Sequence, residues 1–390
     1  MAVPRKQAVL LVIDGCGIGE LPDAADYQDR GSHTLANLAR WAGGLTLPNF
    51  QRLGLGNIAP IDGVPPVAQP LASHGRLNEV SKGKDSITGH WELLGLKLET
   101  AFPTYPHGFP REILDPFEAA IGRTVLANKP ASGTHVLDEY GAEHLRTGQP
   151  IVYTSADSVF QVAAHTDVIP LAELYRICQI ARDLLAGDHA VSRVIARPFI
   201  GQPGAFKRTY DRKDFALPPT APTFLDQLVE TGYEVVSVGK VDYLFDGRGI
   251  TEPNHTEGNT DGLKVITERF SAGFNGLFFC NLIDTDQNYG HRNDCAGYKA
   301  ALEEIDAWLP SFLALLPPDV PFMITSDHGN DPTTPSTDHS REYVPLLAYG
   351  PACFNGANLG TRESFADVAA TLAAHFGLDP VPWGTSFLGQ

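Results

Sequence analysis

The stretch GKDSITGHWE (83–92) places side chains suited to acid–base, nucleophilic or metal chemistry close together. They are Lys84, Asp85, Ser86, Thr88, His90 and Glu92. Neither the alternation of a half-buried strand nor the apolar stripe of an amphipathic helix fits this pattern, so we expect a site loop. Its Ser86 has two interpretations: a nucleophile, or a hydroxyl in a turn or at a helix N-cap, where serine is common.

Carboxylates and imidazoles recur in two later segments, DTDQNYGHRND (284–294) and DHGNDPTTPSTDHSRE (327–342). The candidate metal ligands are Asp286, His291, Asp327, His328, Asp338 and His339, together with Asp14 at the end of an N-terminal apolar run. Mixed Asp and His ligands suit borderline divalent ions such as Mn²⁺ or Zn²⁺, whereas Mg²⁺ and Ca²⁺ prefer oxygen ligands. These side chains are sufficient to supply three ligands to each of two metal ions.

A pair of divalent ions bears on the role of Ser86. Two neighbouring metal ions are the arrangement that holds the attacking and leaving oxygens of phosphoryl transfer in line. Such a site needs an oxygen nucleophile, and a serine hydroxyl beside a metal ion is activated by coordination. The metal-ligand pattern therefore favours the nucleophile interpretation.

Short apolar runs that end in polar residues are expected to position these groups. The runs are AVLLVID (8–14), VVSVGK (235–240), GLFFCNLIDTD (276–286), PFMITSDHG (321–329) and VPLLAYG (344–350). Continuous apolar runs of this length predict buried parallel strands. Three- and four-residue periods predict helices at 296–316 and 364–377. The predicted fold is α/β with a doubly wound sheet, whose functional groups collect beyond the carboxyl ends of the strands.

The length of 390 residues exceeds what one hydrophobic core usually supports, so two domains are expected. Between about 100 and 217, short helical patterns such as 171–187 alternate with Gly- and Pro-rich links. We predict a metal-binding core formed by 1–99 and 218–390, with a smaller α/β cap domain inserted at 100–217. The proline-rich boundaries suit a hinge.

Composition narrows the classes of partner. Lys and Arg number 29 against 46 Asp and Glu, a formal net charge of −17. This balance argues against nucleic acid or an anionic membrane as a partner, since both require a basic surface. It also means that a phosphorylated substrate would need cations gathered locally, as metal ions or arginines.

The cysteines and the N-terminus bear on the compartment. The five cysteines are scattered, without a C-x-x-C pair, and we expect reduced thiols. The N-terminal apolar run stops at Asp14, too early for a signal-peptide core, and no other run has the length of a membrane span. These features predict a cytoplasmic protein.

Motifs spread along nearly the whole chain resemble the phosphopentomutase family of the alkaline-phosphatase superfamily. They are VIDGCGIGELPDA, GSHTLANLA, GKDSITGHWE, NKPASGT, VYTSADSVFQVAAH, RVIARPFIG, GK at 239–240, NLIDTDQNYGHRND, SDHGNDPTTPSTDHSREYVPLL and SFADVAATLA. The long matches YTSADSVFQ and DHGNDP are specific to that family, whereas the metal residues alone indicate only the superfamily. The resemblance implies an alkaline-phosphatase-like core with an inserted cap.

The resemblance also implies the site residues and the reaction. It implies two Mn²⁺ ions, one held by Asp14, Asp327 and His328 and the other by Asp286, His291 and His339. It implies that Ser86 is the phosphorylated residue and that the substrate contacts Ser155, Asp157, Val159, Arg193, Arg208 and Lys240. The implied reaction interconverts the 1- and 5-phosphates of ribose and 2-deoxyribose, with a sugar bisphosphate such as glucose 1,6-bisphosphate as the activator.

The chain departs from the family pattern at three places. Ser86 stands where members typically carry threonine, Thr285 replaces an aromatic residue, and Gly15-Cys16 replaces Ser-x. Two alternatives follow. The first is a phosphatase, or a mutase for another phosphosugar, within the same superfamily; Ser86 and Thr285 favour it, and the long motif matches in the inserted segment count against it. The second is a catalytically silent metal-binding or scaffolding protein, which should have lost a ligand or the nucleophile, and none is lost.

Overall fold

Residues 5–155 and 158–390 are described by the computed structural model of the protein. The strands are β1 (Gln7–Ile13), β2 (Ser73–Leu77), β3 (Leu126–Pro130), β4 (Ile151–Thr154), β5 (Val159–His165), β6 (Arg193–Ile200), β7 (Lys207–Arg208), β8 (Lys213–Ala216), β9 (Glu234–Val238), β10 (Glu252–Asn254), β11 (Gly276–Leu282), β12 (Phe322–Thr325), β13 (Val344–Tyr349) and β14 (Asn358–Arg362). The chain separates into two compact units, Met1–Thr100 with Pro219–Gln390, and Ala101–Pro218.

The α-helices are α1 (Thr34–Ala42), α2 (Pro48–Leu53), α3 (Ser86–Leu93), α4 (Arg111–Ile121), α5 (His135–Thr147), α6 (Leu171–Leu184), α7 (Phe224–Glu230), α8 (Val241–Leu244), α9 (Asn259–Ala272), α10 (Cys295–Leu313) and α11 (Asp367–Phe376). The helices predicted at 296–316 and 364–377 correspond to α10 and α11. As expected, α11 ends at Gly377, which has a φ of 71° that glycine adopts without strain. Within the described part of the chain, every helix is too short or too polar to cross a membrane.

The larger unit is built on a sheet with the strand order β10-β9-β11-β1-β12-β13-β2-β14. Strand β13 is antiparallel to both β12 and β2, and the other pairs are parallel. The prediction of parallel strands is therefore confirmed for four of the apolar runs and wrong for 344–350. A strand buried on both faces has the same apolar pattern in either direction. Here the loop 326–343 leaves β12 and enters β13 at the same edge, which reverses the chain.

Strand β1 shows why this sheet is covered on both faces. Val9, Leu11 and Ile13 join a hydrophobic core with apolar residues of α1, α2, α9 and α10. The alternating residues Leu10 and Val12 point the other way and are also fully buried. Alternation of this kind requires helices on both sides of the sheet. The predicted doubly wound α/β sheet is confirmed.

The parallel strands bring the candidate site residues to one edge. Strands β9, β11, β1 and β12 are neighbours and run in the same direction. Their carboxyl ends are followed by Lys240, Asp286, Asp14 and Asp327 respectively. Because carboxyl ends of parallel neighbours lie together, four segments far apart in the chain meet there.

The smaller unit has its own sheet, with the order β3-β4-β5-β6-β7 and β8 paired to β6. Phe160 and Val162 of β5 pack in a core with α4 and α6, while Ala163 packs in a second core with Val136 of α5. Helices therefore cover both faces of this sheet as well. The helix predicted at 171–187 corresponds to α6.

A buried histidine joins α5 to β5 in this unit. His144 donates a hydrogen bond from Nδ1 to the carbonyl oxygen of Gln149 (2.6 Å) and accepts one at Nε2 from the main-chain N–H of His165 (2.8 Å). Because a carbonyl only accepts and an N–H only donates, the ring is neutral with its proton on Nδ1. Burial lowers the pKa of His144, and the positive charge of Arg123 lowers it further.

We expect the smaller unit to lose stability as the pH falls through about 6.5, the ordinary histidine pKa. Below this pH, His144 binds a proton in the unfolded chain but stays neutral in the folded chain. Its contribution to stability is therefore complete above this pH and is lost below it. Urea unfolding at two pH values, read by hydrogen-exchange labelling of peptides from 101–218, measures the loss. A His144→Gln variant should lose less stability between the two pH values than the wild type, and an equal loss in both would contradict the prediction.

Candidate metal centre and nucleophile

The first candidate metal group lies where β1 and β12 end. It consists of Asp14, Asp327 and His328, all fully buried, with one ligand atom of each within 4.8 Å of the others. His328 Nε2 lies 3.5 Å from Asp14 Oδ1 and 3.3 Å from Asp327 Oδ2. The N–H of Gly15 donates to Asp327 Oδ1 (3.2 Å), which fixes the orientation of that carboxylate.

The second group joins the segment after β11 to the loop 326–343. It consists of Asp286, His291 and His339. Asp286 Oδ2 lies 3.4 Å from His291 Nε2, and Oδ1 lies 3.4 Å from His339 Nε2. Asp286 is on a π-helical turn, Thr285–Tyr289, that continues into a 3₁₀ turn carrying His291. The rings of His328 and His339 are 4.1 Å apart between centroids, so the two groups are adjacent.

Two features of these side chains fit bound cations. Asp14 Oδ1 is buried and accepts no hydrogen bond from the residues that the structure describes. A buried carboxylate oxygen in that position is costly unless a cation neutralises it. The donor set of carboxylate oxygens and imidazole nitrogens is also the one that borderline divalent ions accept. The two groups therefore have the chemistry of divalent-metal sites.

Charge within the groups points in the same direction. Burial opposes ionisation of Asp327, but the positive charge of His328 and the nearby His90 N–H outweigh it and hold the pKa of that carboxyl well below its usual range. Burial likewise opposes ionisation of Asp286, but His339 and His291 hold its pKa well below the usual range. These carboxylates remain ionised and need positive charge nearby. A divalent cation would supply that charge in place of the imidazole protons, which its binding would displace.

Ser86 is the first residue of α3, directly after the N-cap Asp85. The Asp85 carboxylate accepts hydrogen bonds from the main-chain N–H groups of Ile87 (3.0 Å) and Thr88 (3.2 Å). This cap explains why a helix begins within a polar stretch that lacks an apolar stripe. The prediction of a loop throughout 83–92 is therefore wrong from Ser86 onward.

The hydroxyl of Ser86 meets the first metal group. Its Oγ lies 3.2 Å from His328 Nε2 and 3.2 Å from Lys240 Nζ. Lys240 Nζ in turn lies 2.7 Å from Asp14 Oδ2. Burial lowers the pKa of Lys240, but Asp14, Asp286 and Asp327 outweigh it and raise the pKa, so the side chain is a cation. Ser86 is thus held between a cation and a candidate metal ligand.

Side chains behind the ligands were missed by the sequence analysis. Asn330 donates from Nδ2 to Asp286 Oδ1 (2.7 Å), and Tyr298 donates from its hydroxyl to the carbonyl of Gly15 (2.7 Å). Thr285, one of the departures from the family pattern, donates from Oγ1 to the carbonyl of Asp14 (2.6 Å). Hydrogen bonds of this kind fix ligand orientation. These hydrogen bonds join residues far apart in the chain, so no local sequence pattern predicts them.

Two basic residues anchor the loop that precedes Ser86. Lys84 Nζ lies 3.1 Å from both Asp29 Oδ2 and Asp338 Oδ2, so Asp338 serves an ion pair outside both metal groups. Buried Arg341 donates from Nη1 to Glu79 Oε2 (2.7 Å) and to the carbonyl of Gly83 (2.7 Å). The loop with His339 is thereby tied to the loop that precedes Ser86.

The other predicted substrate-binding residues belong to the smaller unit, except Lys240. Asp157 lies outside the described residues. Ser155 directly follows β4, Val159 is buried at the start of β5, and Arg193 begins β6. Arg208 is exposed on β7.

A cationic cluster lies on β6 and its neighbours. Arg193 Nη1 lies 3.6 Å from Asp214 Oδ2, and Arg212 lies 2.7 Å from the same oxygen. Burial, and then the charge of Arg212, lower the pKa of Arg197 to about 10. A cluster with more arginines than carboxylates favours an anionic ligand.

Comparisons with known proteins agree with these features. Residues 6–380 match the family model of the Metalloenzyme superfamily. The phosphopentomutase of Carboxydothermus hydrogenoformans is 57% identical over 385 residues, covering 99% of both chains. That of Dictyoglomus turgidum is 56% identical, covering 99% of this chain and 98% of its own. Among solved structures, a phosphoglycerate mutase of Leishmania mexicana matches with a TM-score of 0.47 and 12% identity over 99% of this chain and 98% of its own. Identity above one half along nearly the whole chain shows that the protein belongs to the phosphopentomutase family.

Proposed function

We propose that the protein interconverts the 1-phosphate and the 5-phosphate of ribose, and of 2-deoxyribose, with Ser86 as the phosphorylated residue. The observation that carries this proposal is the position of Ser86 Oγ, 3.2 Å from both His328 Nε2 and Lys240 Nζ. A hydroxyl held beside a cation and a candidate metal group is suited to accept and donate a phosphoryl group. Membership of the phosphopentomutase family supports the choice of substrate.

The reaction proceeds in two phosphoryl transfers. In the first, the Oγ–P bond of phosphorylated Ser86 breaks and a bond forms from phosphorus to the free hydroxyl oxygen of the sugar phosphate. The proton of that hydroxyl ends on Ser86 Oγ, and the sugar becomes a bisphosphate. In the second transfer, the phosphoryl group at the other position returns to Ser86 by the reverse exchange. Lys240, which faces Oγ, stabilises negative charge on that oxygen in both transfers.

Divalent cations are expected at both groups, and we propose Mn²⁺ because the ligands mix oxygen and nitrogen. When bound, such cations neutralise negative charge on the transferring phosphoryl group and favour deprotonation of the nucleophile. Asp14, Asp327 and His328 would hold one cation, and Asp286, His291 and His339 the other. A sugar bisphosphate such as glucose 1,6-bisphosphate would phosphorylate Ser86 at the start.

The smaller unit, which we propose as the substrate-binding cap, would supply further contacts. Arg193 and Arg208 are suited to bind the phosphate that is not being transferred, because arginine forms paired hydrogen bonds with phosphate oxygens. Ser155, Asp157 and Val159 would contact the sugar phosphate. The five cysteines are buried free thiols, which suits a reducing compartment, and we propose the cytoplasm.

Product analysis tests the proposed function. The protein is incubated with Mn²⁺ and ribose 1-phosphate, with and without a trace of glucose 1,6-bisphosphate, and ribose 5-phosphate is measured against free phosphate. We expect ribose 5-phosphate as the main product, formed faster with the bisphosphate. Free phosphate as the main product would instead show a phosphatase, the alternative that Ser86 favours because serine lacks the methyl group of threonine. A Ser86→Thr variant is the matched control and should release less free phosphate than the wild type.

A further inference from the structure

His90 contacts both the nucleophile and a candidate metal ligand. It lies one turn after Ser86 in α3, so its side chain returns toward the start of the helix. Its Nδ1 lies 2.8 Å from the carbonyl oxygen of Ser86 and 3.2 Å from Asp327 Oδ2. The side chains of His90 and Asp327 are fully buried. Nδ1 therefore faces one oxygen of the nucleophile residue, Ser86, and one oxygen of the candidate metal ligand, Asp327. In the proposed function, the distance between these two residues must stay constant.

The geometry determines which nitrogen carries the proton. A carbonyl oxygen can only accept a hydrogen bond, so His90 Nδ1 must be the donor toward Ser86. The same Nδ1–H faces Asp327 Oδ2, an acceptor as well. Nε2 is buried and has no hydrogen-bond partner among the described residues. The ring centroid lies 5.7 Å from that of Phe279. The polar contacts of the side chain therefore depend on Nδ1.

Gly89 allows this approach. A Cβ atom built on Gly89 would lie 2.0 Å from the carbonyl oxygen of Asp327, which is far closer than van der Waals contact. Only glycine lets α3 lie directly against the main chain of Asp327. The helix that begins with Ser86 and the segment with Asp327 are thus in contact through their main chains, and His90 adds the polar link.

We propose that His90 is a positioning residue that sets the spacing between Ser86 and the first metal group. Its Nδ1–H donates to the Ser86 carbonyl and also lies 3.2 Å from Asp327 Oδ2, close enough to attract that oxygen electrostatically, while Gly15 N–H donates to Asp327 Oδ1. With both oxygens oriented, Asp327 presents its remaining lone pairs in one direction. This role rests on the proposed function, in which Ser86 is the nucleophile and Asp327 a metal ligand.

A pair of substitutions separates positioning from packing. In His90→Asn, the amide nitrogen Nδ2 is bonded to Cγ, as Nδ1 is in histidine, and can donate to the same oxygens. In His90→Gln, the amide nitrogen is one bond further out, near the position of Nε2. Both variants are neutral and lose the ring that faces Phe279, so packing is reduced in both. They differ in whether a donor occupies the Nδ1 position.

Mn²⁺ titration calorimetry of the metal-free protein and steady-state kinetics are the two main measurements. We expect His90→Gln to bind one of two Mn²⁺ ions about 10- to 100-fold more weakly and to lose a similar factor in kcat, with little change in KM. His90→Asn should stay within about fivefold of the wild type in both quantities. The melting temperature of the metal-free protein should fall at least as far in His90→Gln as in His90→Asn, because the glutamine variant also loses the donor at the Nδ1 position. Equal losses of Mn²⁺ affinity and kcat in the two variants would overturn the proposal and leave His90 a packing residue.

The same experiment distinguishes failure of the proposed function. If the wild type binds two Mn²⁺ ions but forms no pentose 5-phosphate, the proposed reaction is wrong. The difference in Mn²⁺ affinity between His90→Asn and His90→Gln would then still support the positioning of Asp327. If that difference is absent while the wild type is an active mutase, the positioning role fails and the proposed function stands.

Discussion

Replacement of Ser86 by alanine should reduce interconversion of ribose 1- and 5-phosphate by at least about 10⁴-fold, the scale of effect when a covalent nucleophile is removed. The substitution deletes Oγ, which lies 3.2 Å from His328 Nε2 and Lys240 Nζ, and no neighbouring hydroxyl takes its place among the described contacts. Because the side chain of Ser86 is small and buried, the fold and the metal content should be unchanged. Turnover, bound metal per chain and the phosphorylated fraction by intact mass measure the three effects.

Two variants provide the controls for Ser86. Ser86→Thr restores the hydroxyl and should retain most of the activity. Thr88→Ala removes a hydroxyl two residues along the same helix, which donates to Asp85 Oδ2 (2.8 Å) and forms no hydrogen bond with either metal group among the described residues. It should lower kcat by less than about tenfold, although the Thr88 hydrogen bond to the Asp85 carboxylate contributes about 1.5–3 kcal/mol to stability. An active Ser86→Ala enzyme would refute Ser86 as the nucleophile. So would a Ser86→Ala protein that still gains the mass of one phosphoryl group, about 80 Da.

Replacement of Asp286 by asparagine should remove the second metal ion. The change is nearly isosteric, but it removes the charge that lies between His291 and His339. A bound cation contributes several kcal/mol of transition-state stabilisation, so we expect kcat to fall by about 10³-fold. Metal analysis after gel filtration should give one divalent ion per chain instead of two. The metal-free variant should be less stable than the metal-free wild type, because Asp286 loses its ion pairs with His291 and His339.

Asp284→Asn is the matched control for Asp286. Asp284 lies two residues earlier in the same segment, accepts hydrogen bonds from Asn259 N–H (2.8 Å) and Asn288 Nδ2 (2.7 Å), and belongs to neither metal group. Its replacement should cost about 1 kcal/mol of stability and leave two ions bound. Equal loss of metal in the two variants would show a general effect of charge in this segment. Two ions retained in Asp286→Asn would refute Asp286 as a ligand.

The strands and helices near the site could be predicted from the sequence. The apolar runs ending at Asp14 and Lys240 are strands because continuous apolar segments of that length are stable only when covered on both faces. The same pattern predicted that polar residues after these runs would share one edge. Helix α10 follows from its three- and four-residue apolar period, which buries Tyr298 and Ile305 in one stripe.

Local patterns did not determine strand direction or the extent of α3. The run 344–350 was expected to be parallel and is antiparallel, because a fully buried strand carries no signal of direction. The stretch after Ser86 was expected to be a loop and is a helix. Its residues are buried on all sides, so the stripe that distinguishes an amphipathic helix is absent.

The sequence by itself determined which residue types were available for the site: a serine after GKD, carboxylates and histidines at strand ends, and a family resemblance along nearly the whole chain. Spacing alone left Asp338 and His339 equivalent as candidate ligands. The family resemblance implied His339 rather than Asp338, and the tertiary structure shows the physical difference, since Asp338 pairs with Lys84 while His339 faces Asp286. The role proposed for His90 likewise depends on the tertiary structure, because its contact with Asp327 joins residues 237 positions apart. Contacts between residues so far apart in the sequence depend on how the strands and loops assemble, and no local sequence pattern predicts that assembly.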